Sequence, residues 1–270
     1  MRRAITLLVA TLSALNAPAE GKTFALLVGV SQYAKLPNDL WLQYPDADVR
    51  AFAAFLASPR GGNVAPDAVV SLVNERATTS AVRSAFDMLL KDRAGREDTV
   101  YILVAAHGTV DGSGAYILTY DSDPANLAAT ALPMGELRAL VEREVGRAGR
   151  VILFADVCRA AAIAGQKTTA LGGLVEKIGE IPGEMLGLMA ARPKELSSEG
   201  PEFGGGHGAF TYSVLEGLQG AADSDHDGFV TAGELIDFVT TGVPKLTGGR
   251  QHPRDFGNMD NAARLAGVAR

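Results

Sequence analysis

Residues 150–158 read Arg-Val-Ile-Leu-Phe-Ala-Asp-Val-Cys, an apolar run that ends in an aspartate and the only cysteine of the chain. A continuous apolar run of this length is typical of a strand that is buried on both faces of a parallel sheet. Three other runs have the same character. We therefore predict parallel strands at Phe24–Val30, Thr99–Ala105, Arg150–Ala155 and Met185–Ala190.

The segments between these runs have the apolar spacing of helices. The residues that share a helical face are Phe52, Phe55 and Leu56; Val82, Phe86, Leu89 and Leu90; Met134, Leu137, Leu140 and Val141; and Phe210, Val214, Leu215 and Leu218. Strands that alternate with helices predict an α/β fold with a mostly parallel central sheet and helices on both faces. The 270 residues suffice for one large domain, and no linker requires a second one, so we expect a single domain over residues 20–270.

Two of the predicted strand ends carry reactive groups, which in such sheets lie just past the carboxyl ends of the strands. The second strand runs into Ala106-His107-Gly108 and the third into Asp156-Val157-Cys158, while residues 110–116 resemble a hairpin. One thiol cannot form an internal disulfide, so Cys158 is either a buried apolar residue or a reactive group. A nearby imidazole lowers the pKa of a thiol by several units. His107 and Cys158 are therefore a candidate base and nucleophile.

A second His-Gly pair, His207-Gly208, offers a competing base. It belongs to the glycine-rich stretch 204–208, which we interpret as a flexible connection downstream of the cysteine. That stretch follows no clear strand, so it is a weak candidate for a phosphate-binding loop. His107, at the end of an apolar strand, is the better candidate.

The order of these motifs resembles that of the caspase-like cysteine peptidases, the superfamily of caspases, metacaspases and orthocaspases, and is closest to bacterial metacaspase-like proteins. The similarity covers the strand Phe24–Val30, the helix from Asp48, His107-Gly108, Asp156-x-Cys158 and the stretch Gly208–Thr211. It implies a caspase–haemoglobinase fold and hydrolysis of peptide bonds through a thioester. His107 would be the general base and acid, Cys158 the nucleophile, and the N–H groups of Gly108 and Cys158 the oxyanion hole.

The flanks of both motifs depart from the metacaspase pattern. Ser-Gly usually precedes the catalytic His-Gly, whereas this chain has Ala105-Ala106, and the nucleophile often begins Cys-His-Ser-Gly where this chain has Cys158-Arg159-Ala160-Ala161. These departures keep open a second hypothesis, a catalytically silent, Ca²⁺-binding, caspase-like interaction module. An α/β nucleotide-binding protein ranks last, since no Gly-rich phosphate loop follows the first strand.

Two acids point to the substrate. Caspases place a glutamine two residues before the cysteine and cut after aspartate, whereas metacaspases place an aspartate there and cut after arginine or lysine. Asp156 occupies that position here, and Asp48 aligns with a metacaspase Asn-Asp-Ala segment, although a helix-start acid is its simpler interpretation. Two carboxylates would bind a guanidinium or ammonium through charge-assisted hydrogen bonds. We expect Asp48 and Asp156 to bind substrate and cleavage to follow Arg or Lys.

Residues 223–234 match the twelve-residue EF-hand loop position by position. Asp223, Asp225 and Asp227 occupy the first, third and fifth positions, Phe229 offers its carbonyl at the seventh, and Glu234 ends the loop. The alternative is a solvated acidic turn, but four carboxylates so spaced would repel one another without a cation. We expect Ca²⁺ to bind here, in a structural or regulatory role, and no cofactor to be needed for the chemistry.

The first residues predict export to the periplasm or the medium. Arg2 and Arg3 precede the apolar run Ala4–Leu15, and Ala17-Pro18-Ala19 fits the site cut by signal peptidase, so we expect residues 1–19 to be a signal peptide. Its removal changes the net charge from −6 to −8. An acidic protein without a basic run is a poor partner for nucleic acid or an anionic membrane, and basic peptides or proteins are the better candidates.

The connection after the cysteine carries Lys167 and Lys177. Related enzymes often cut themselves in this region to free the substrate pocket. Self-cleavage after one of these lysines is therefore a further hypothesis.

Overall fold

The computed structural model describes residues 21–90, 94–145, 148–159, 184–192 and 195–268, with the side chains of residues 89–90, 144–145 and 158–159 excepted. The expected signal peptide and the connection that carries Lys167 and Lys177 lie outside the described residues. The hypotheses on export and self-cleavage therefore stay predictions.

The centre of the molecule is an eight-stranded mixed sheet. The strands of the described residues are β1 (Thr23–Gly29), β2 (Val69–Val73), β3 (Thr99–Asp111), β4 (Gly114–Ile117), β5 (Leu132–Pro133), β6 (Arg150–Arg159), β7 (Glu184–Met189), β8 (Glu199–Gly200), β9 (His207–Gly208), β10 (Phe229–Thr231), β11 (Arg254–Gly257) and β12 (Arg264–Gly267). The central sheet is formed by β1 to β7 and β11. The main path runs β11-β7-β6-β3-β1-β2, and β4 and β5 extend the end of β3. Strands β2, β1, β3, β6 and β7 are parallel, while β11 runs antiparallel beside β7.

Helices surround this sheet, and two strand pairs, β8–β9 and β10–β12, lie outside it. The helices are α1 (Pro45–Ala57), α2 (Thr79–Ala85), α3 (Leu127–Thr130), α4 (Met134–Val145), α5 (Ala209–Glu216) and α6 (Ala232–Leu246), and π-helical turns at Phe86–Leu90 and Gly217–Ala221 continue α2 and α5. None of the helices in the described ranges combines the length and apolar character that a membrane span requires. The predicted mostly parallel α/β fold is confirmed.

The four predicted strands are present, but two of them are longer than the apolar runs. β3 continues through His107 to Asp111, and β6 continues to Arg159. β3 is extended because β4, the return strand of the hairpin predicted at residues 110–116, pairs with it from Gly108 onward. His107 and Cys158 therefore lie within strands and not just past their ends, which corrects the sequence-based expectation.

Strand β2 was not predicted from the sequence, because its residues are half-buried. It forms one edge of the sheet, and a half-buried edge strand lacks the long apolar run that marked the others. The glycine-rich stretch was also misread. His207 and Gly208 form the short strand β9, which pairs with Glu199 and Gly200 of β8 and continues directly into α5.

Helix α1 lies unusually close to β1. A Cβ on Gly29 would fall 2.3 Å from the carbonyl oxygen of Pro45 and 2.7 Å from Cγ2 of Val49. Phe52, on the same helix, packs against Tyr101 and Phe154 of the sheet, with ring centroids 6.0 and 5.6 Å away. The absence of a side chain at position 29 thus sets the distance between the sheet and the helix that carries Asp48.

We predict that Gly29→Ala destabilises the protein by about 1–3 kcal/mol, because the added methyl group must push α1 away from β1. The free energy of unfolding from urea denaturation measures this. Gly135→Ala in α4 is the control, since a Cβ there meets nothing within 4 Å. Equal stability of the two variants would contradict the close approach of α1.

Candidate active site

His107 lies on β3 between the residues that pair with β1 and those that pair with β4. The last residue pair between β1 and β3 is Gly29 with Ala105, and the N–H of Val30 donates to the carbonyl of Ala105 at 2.9 Å. Two residues further along β3, the carbonyl of His107 accepts the N–H of Leu118 at 2.8 Å. The histidine backbone is thus fixed at the change from one neighbouring strand to the next.

The imidazole of His107 is buried, and its two nitrogens have different environments. Nε2 lies 2.7 Å from the carbonyl oxygen of Leu40. A carbonyl only accepts, so Nε2 carries the proton of the neutral ring and Nδ1 holds the free lone pair. Nδ1 is buried and has no hydrogen-bond partner in the described part of the chain. Burial lowers the pKa of His107, against a smaller opposing effect of the Leu40 carbonyl, which favours the neutral, basic form.

Cys158 is paired with His107 in the ladder between β3 and β6. The parallel register matches Ala105 with Asp156 and His107 with Cys158. Neighbouring strands lie about 4.8 Å apart, so the backbones of the predicted base and nucleophile are adjacent. The next pair is Gly108 with Arg159, so the two predicted oxyanion donors, Gly108 and Cys158, lie one position apart in this ladder.

Asp48 of α1 and Asp156 of β6 meet at one small cavity. A Cβ on Gly208 would lie 2.7 Å from Oδ2 of Asp156 and 3.2 Å from Oδ2 of Asp48, so the glycine leaves room for both carboxylates. The cavity has a volume of about 20 Å³. It is lined by Leu42, Pro45, Asp48, Ala105, Asp156, Ser197, Ser198, Glu199 and Gly208. The two acids predicted to bind substrate are therefore neighbours, although one comes from a helix and the other from a strand.

Asp48 is almost fully buried and is hydrogen-bonded by the strand opposite it. Its Oδ1 lies 2.7 Å from Nδ1 of His207, and the N–H of Gly208 is 3.3 Å from both carboxylate oxygens. Burial raises the pKa of Asp48, and the His207 contact offsets this only in part. His207, considered above as a competing base, is thus a partner of the acid in the cavity. The histidine that is in register with Cys158 is His107.

Asp156 is buried at the other side of the cavity, where the hydroxyl of Thr211 donates to its Oδ2 at 3.2 Å. Burial and, after it, the negative charge of Asp48 raise the pKa of Asp156 from 3.8 to about 7. A carboxylate that is costly to ionise inside the protein becomes easier to ionise when a cation arrives.

A third acid, Glu199, was not predicted from the sequence. It lines the same cavity, and its carboxylate accepts the N–H groups of Gln43 at 3.0 Å and Tyr44 at 3.2 Å. Burial raises its pKa. Glu199 and Leu40 belong to no recognisable motif, and they reach the site through contacts across the fold, so no local signal in the sequence could have identified them.

The acidic loop has part of the arrangement that Ca²⁺ requires. Carboxylate oxygens of Asp223, Asp225 and Asp227 lie within 4.8 Å of one another. Gly228, at the sixth position, has φ 91°, a left-handed conformation that a glycine adopts without strain. The following residues form β10, which pairs with β12.

Glu234 and Phe229 have other contacts in this structure. One oxygen of Glu234 accepts the N–H and hydroxyl of Ser224, and the other accepts those of Thr231, which caps α6. Burial opposes ionisation of Glu234, but these hydrogen bonds outweigh it and lower its pKa to about 2. The ring of Phe229 lies 3.7 Å beneath the guanidinium of Arg264. The three aspartates fit a cation site as they stand, whereas the carboxylate of Glu234 is engaged by Ser224 and by Thr231 in the capping box of α6.

The fold and the in-register histidine and cysteine define the class of caspase-like α/β domains. A family model described as the caspase domain, Peptidase_C14, matches residues 22–260. The chain therefore belongs to the caspase-domain family, whose members are generally cysteine peptidases, and the resemblance to the caspase-like superfamily is confirmed.

A solved structure supports the same fold. The chain is similar to protein GSU0716 from Geobacter sulfurreducens, with a TM-score of 0.62 and 20% sequence identity over 92% of this chain and 97% of that chain. A likeness at this identity shows the fold alone. A search of curated proteins found no match.

We predict that Asp156→Asn reduces the pH dependence of stability. The raised pKa means that the folded state holds a proton between about pH 4 and 7 that the unfolded state has released, so ionisation of Asp156 weakens wild-type folding as the pH rises through this window. Relative to the wild type, the variant should gain about 2–4 kcal/mol between pH 4 and pH 8. Urea denaturation at both pH values measures this, with the exposed Asp39→Asn as control. A pH-independent difference would contradict the pKa assignment.

Proposed function

We propose that this protein is a cysteine endopeptidase that uses a His107–Cys158 dyad. The observation that supports this most directly is the register of β3 and β6, which pairs the two residues. The second support is the lone pair of His107 Nδ1, which is buried and left without a hydrogen-bond partner among the described residues. Such a nitrogen is available to take a proton from a thiol.

The proposed reaction follows from the roles of these two groups. Nδ1 of His107 takes the proton of the Cys158 thiol, and the thiolate adds to the peptide carbonyl. The imidazolium returns the proton to the departing amine, leaving a thioester. Water, deprotonated by the same nitrogen, then cleaves the thioester and restores the thiol. The N–H groups of Gly108 and Cys158 would stabilise the negative charge on the carbonyl oxygen, where one lost donor typically costs about 10²–10³ in rate.

The cavity favours cleavage after arginine or lysine. Asp48 and Asp156 meet there, Glu199 adds a third carboxylate, and no lysine or arginine of the described ranges lines it. The pKa of each acid is raised, so a substrate cation would relieve an unfavourable concentration of negative charge. A volume of about 20 Å³ accommodates roughly one water molecule, so the walls must separate when a long side chain enters.

The proposed setting is outside the cytoplasm, in the periplasm or the medium, after removal of residues 1–19. The net charge of −8 that remains favours basic peptides or proteins as substrates and disfavours nucleic acid and anionic membrane surfaces.

We expect the protein to cleave peptides after Arg or Lys. Cleavage after Asp should be at least about 100-fold slower, because the carboxylate of the substrate would be buried beside the carboxylates of the pocket. Fluorogenic peptides that differ only in this residue measure kcat/KM. Cys158→Ala and His107→Asn should abolish the activity, and His207→Asn should retain it at a higher KM, since His207 contacts only Asp48 of the pocket.

Preference for Asp-ended peptides would contradict the assignment of the pocket. Activity that survives Cys158→Ala would contradict the dyad. A folded protein without activity on any of the peptides, whose single thiol also resists a peptide-based thiol reagent, would favour the silent interaction module.

We also propose that the loop 223–234 binds Ca²⁺. Asp223, Asp225 and Asp227 would hold the ion together with the carbonyl of Phe229. The carboxylate of Glu234 would complete the site by giving up hydrogen bonds from Ser224 or Thr231. The ion would stabilise the fold or regulate activity. The three converging aspartates and the glycine turn at Gly228 support this proposal.

Ca²⁺ at 100 times its dissociation constant should raise Tm by about 5–10 °C, because an ion that binds only the folded state stabilises it. Asp225→Asn should remove most of this increase, whereas Asp237→Asn, an exposed acid on α6 outside the loop, should retain it. Thermal unfolding in Ca²⁺, Mg²⁺ and chelator provides the comparison. An equal Tm in all three solutions would contradict the calcium site.

A further inference from the structure

The N–H of His107 lies on the side of β3 that β1 has vacated. In a parallel ladder the backbone N–H and C=O groups of every second residue face the same neighbouring strand. Ala105 faces β1, so the next residue of β3 whose backbone groups face that side is His107. β1 ends at Gly29, and its last contact is the bond from the N–H of Val30 to the carbonyl of Ala105. The N–H of His107 therefore needs a partner from outside the sheet, because a buried unpaired N–H is costly.

Tyr33 supplies that partner. Its hydroxyl oxygen accepts the N–H of His107 at 2.8 Å, and the tyrosine is 1% exposed. The same side chain also contacts the imidazole, since the two rings are stacked with centroids 5.1 Å apart and planes inclined by 22°. One residue thus holds both the backbone and the ring of the proposed base.

Tyr33 and Leu40 together restrict the imidazole at its face and at one edge. The carbonyl of Leu40 fixes Nε2, the ring of Tyr33 covers one face, and Nδ1 is left for the proton. In a Ser-His-Asp triad a carboxylate orients the histidine and stabilises its charged form. No carboxylate among the described residues is hydrogen-bonded to His107, so another group must perform this task. An aromatic face attracts a cation, and the ring of Tyr33 therefore favours the imidazolium that forms during the reaction.

We propose that Tyr33 is a positioning residue for His107, which anchors the histidine backbone through its hydroxyl and stabilises the imidazolium through its ring. This inference rests on the proposed peptidase function. The competing view is that Tyr33 only fills the core beside β3. The two views differ in what happens to proton transfer when the hydroxyl and the ring are removed separately.

Tyr33→Phe keeps the ring and removes the hydroxyl, and Tyr33→Leu removes both. Tyr116→Phe is the matched control, because Tyr116 is also buried and its hydroxyl is hydrogen-bonded to Ser113 of the hairpin, at 2.6 Å, and not to His107. Each full-length variant is first compared with the wild type by circular dichroism and thermal unfolding. The first measurement is kcat and KM on an Arg-ended peptide. The second is the pH dependence of the rate at which iodoacetamide alkylates Cys158, which is the only thiol of the chain.

We expect Tyr33→Leu to lower kcat by about 10- to 100-fold, less than loss of the base itself, and to move the alkylation profile to higher pH, because the thiolate–imidazolium pair is less favoured. Tyr33→Phe should leave the alkylation profile in place and lower kcat by about 3- to 10-fold with KM unchanged. Tyr116→Phe should match the wild type in both measurements.

A folded Tyr33→Leu protein with the wild-type alkylation profile would overturn the proposal. If that variant does not fold, Tyr33→Phe decides, and an unchanged kcat overturns it. If the wild type is itself inactive, the proposed function fails separately. NMR titration of His107, assigned with His107→Asn, then tests Tyr33 alone: a lower pKa of His107 in Tyr33→Leu supports the positioning role, and an unchanged pKa contradicts it.

Discussion

The register between β3 and β6 is the constraint on which the site depends. It pairs Ala105 with Asp156 and, two residues later, His107 with Cys158. Two residues along a parallel strand advance about 6.6 Å. The proposed dyad and the cavity that contains Asp156 are thus adjacent on one strand pair. A slip of one residue would move the strand's side chains to the opposite face and separate all four groups.

Among the described residues, no lysine or arginine side chain lines the cavity to neutralise its carboxylates. Asp48 is bonded by His207 and the N–H of Gly208, and Glu199 by the N–H groups of Gln43 and Tyr44. Backbone N–H groups orient carboxylates but carry no full charge, so burial still raises the pKa of both acids. The departure from the metacaspase pattern at Ala105 lies in this wall, where a methyl group replaces the hydroxymethyl group of serine. The proposed preference of the cavity for cations therefore rests on its carboxylates.

The sequence predicted the parts of the site that lie on strongly apolar elements. The runs before His107 and Cys158 identified their strands, and helical spacing identified α1 with Asp48. The predicted end of β3 was wrong because His107 and the residues after it continue the strand into the hairpin with β4. Tyr33, Leu40 and Glu199 were missed for another reason. Each acts through a contact between segments distant in the chain, and a single sequence carries no signal for such contacts.

One short segment joins the proposed base to the pocket. Leu40 contacts the imidazole of His107, Gln43 and Tyr44 donate to Glu199, and α1 then begins and brings Asp48 to the cavity. The N–H of Leu42 donates to the carbonyl of Ser31, which fixes the middle of this segment against the chain leaving β1. Movement of the pocket wall on substrate entry would therefore displace the carbonyl of Leu40, which orients the imidazole of His107. The carbonyl of Leu40 orients His107, while Leu42, Pro45 and Asp48 of the same segment line the cavity, so we expect occupation of the cavity and orientation of the imidazole to be coupled.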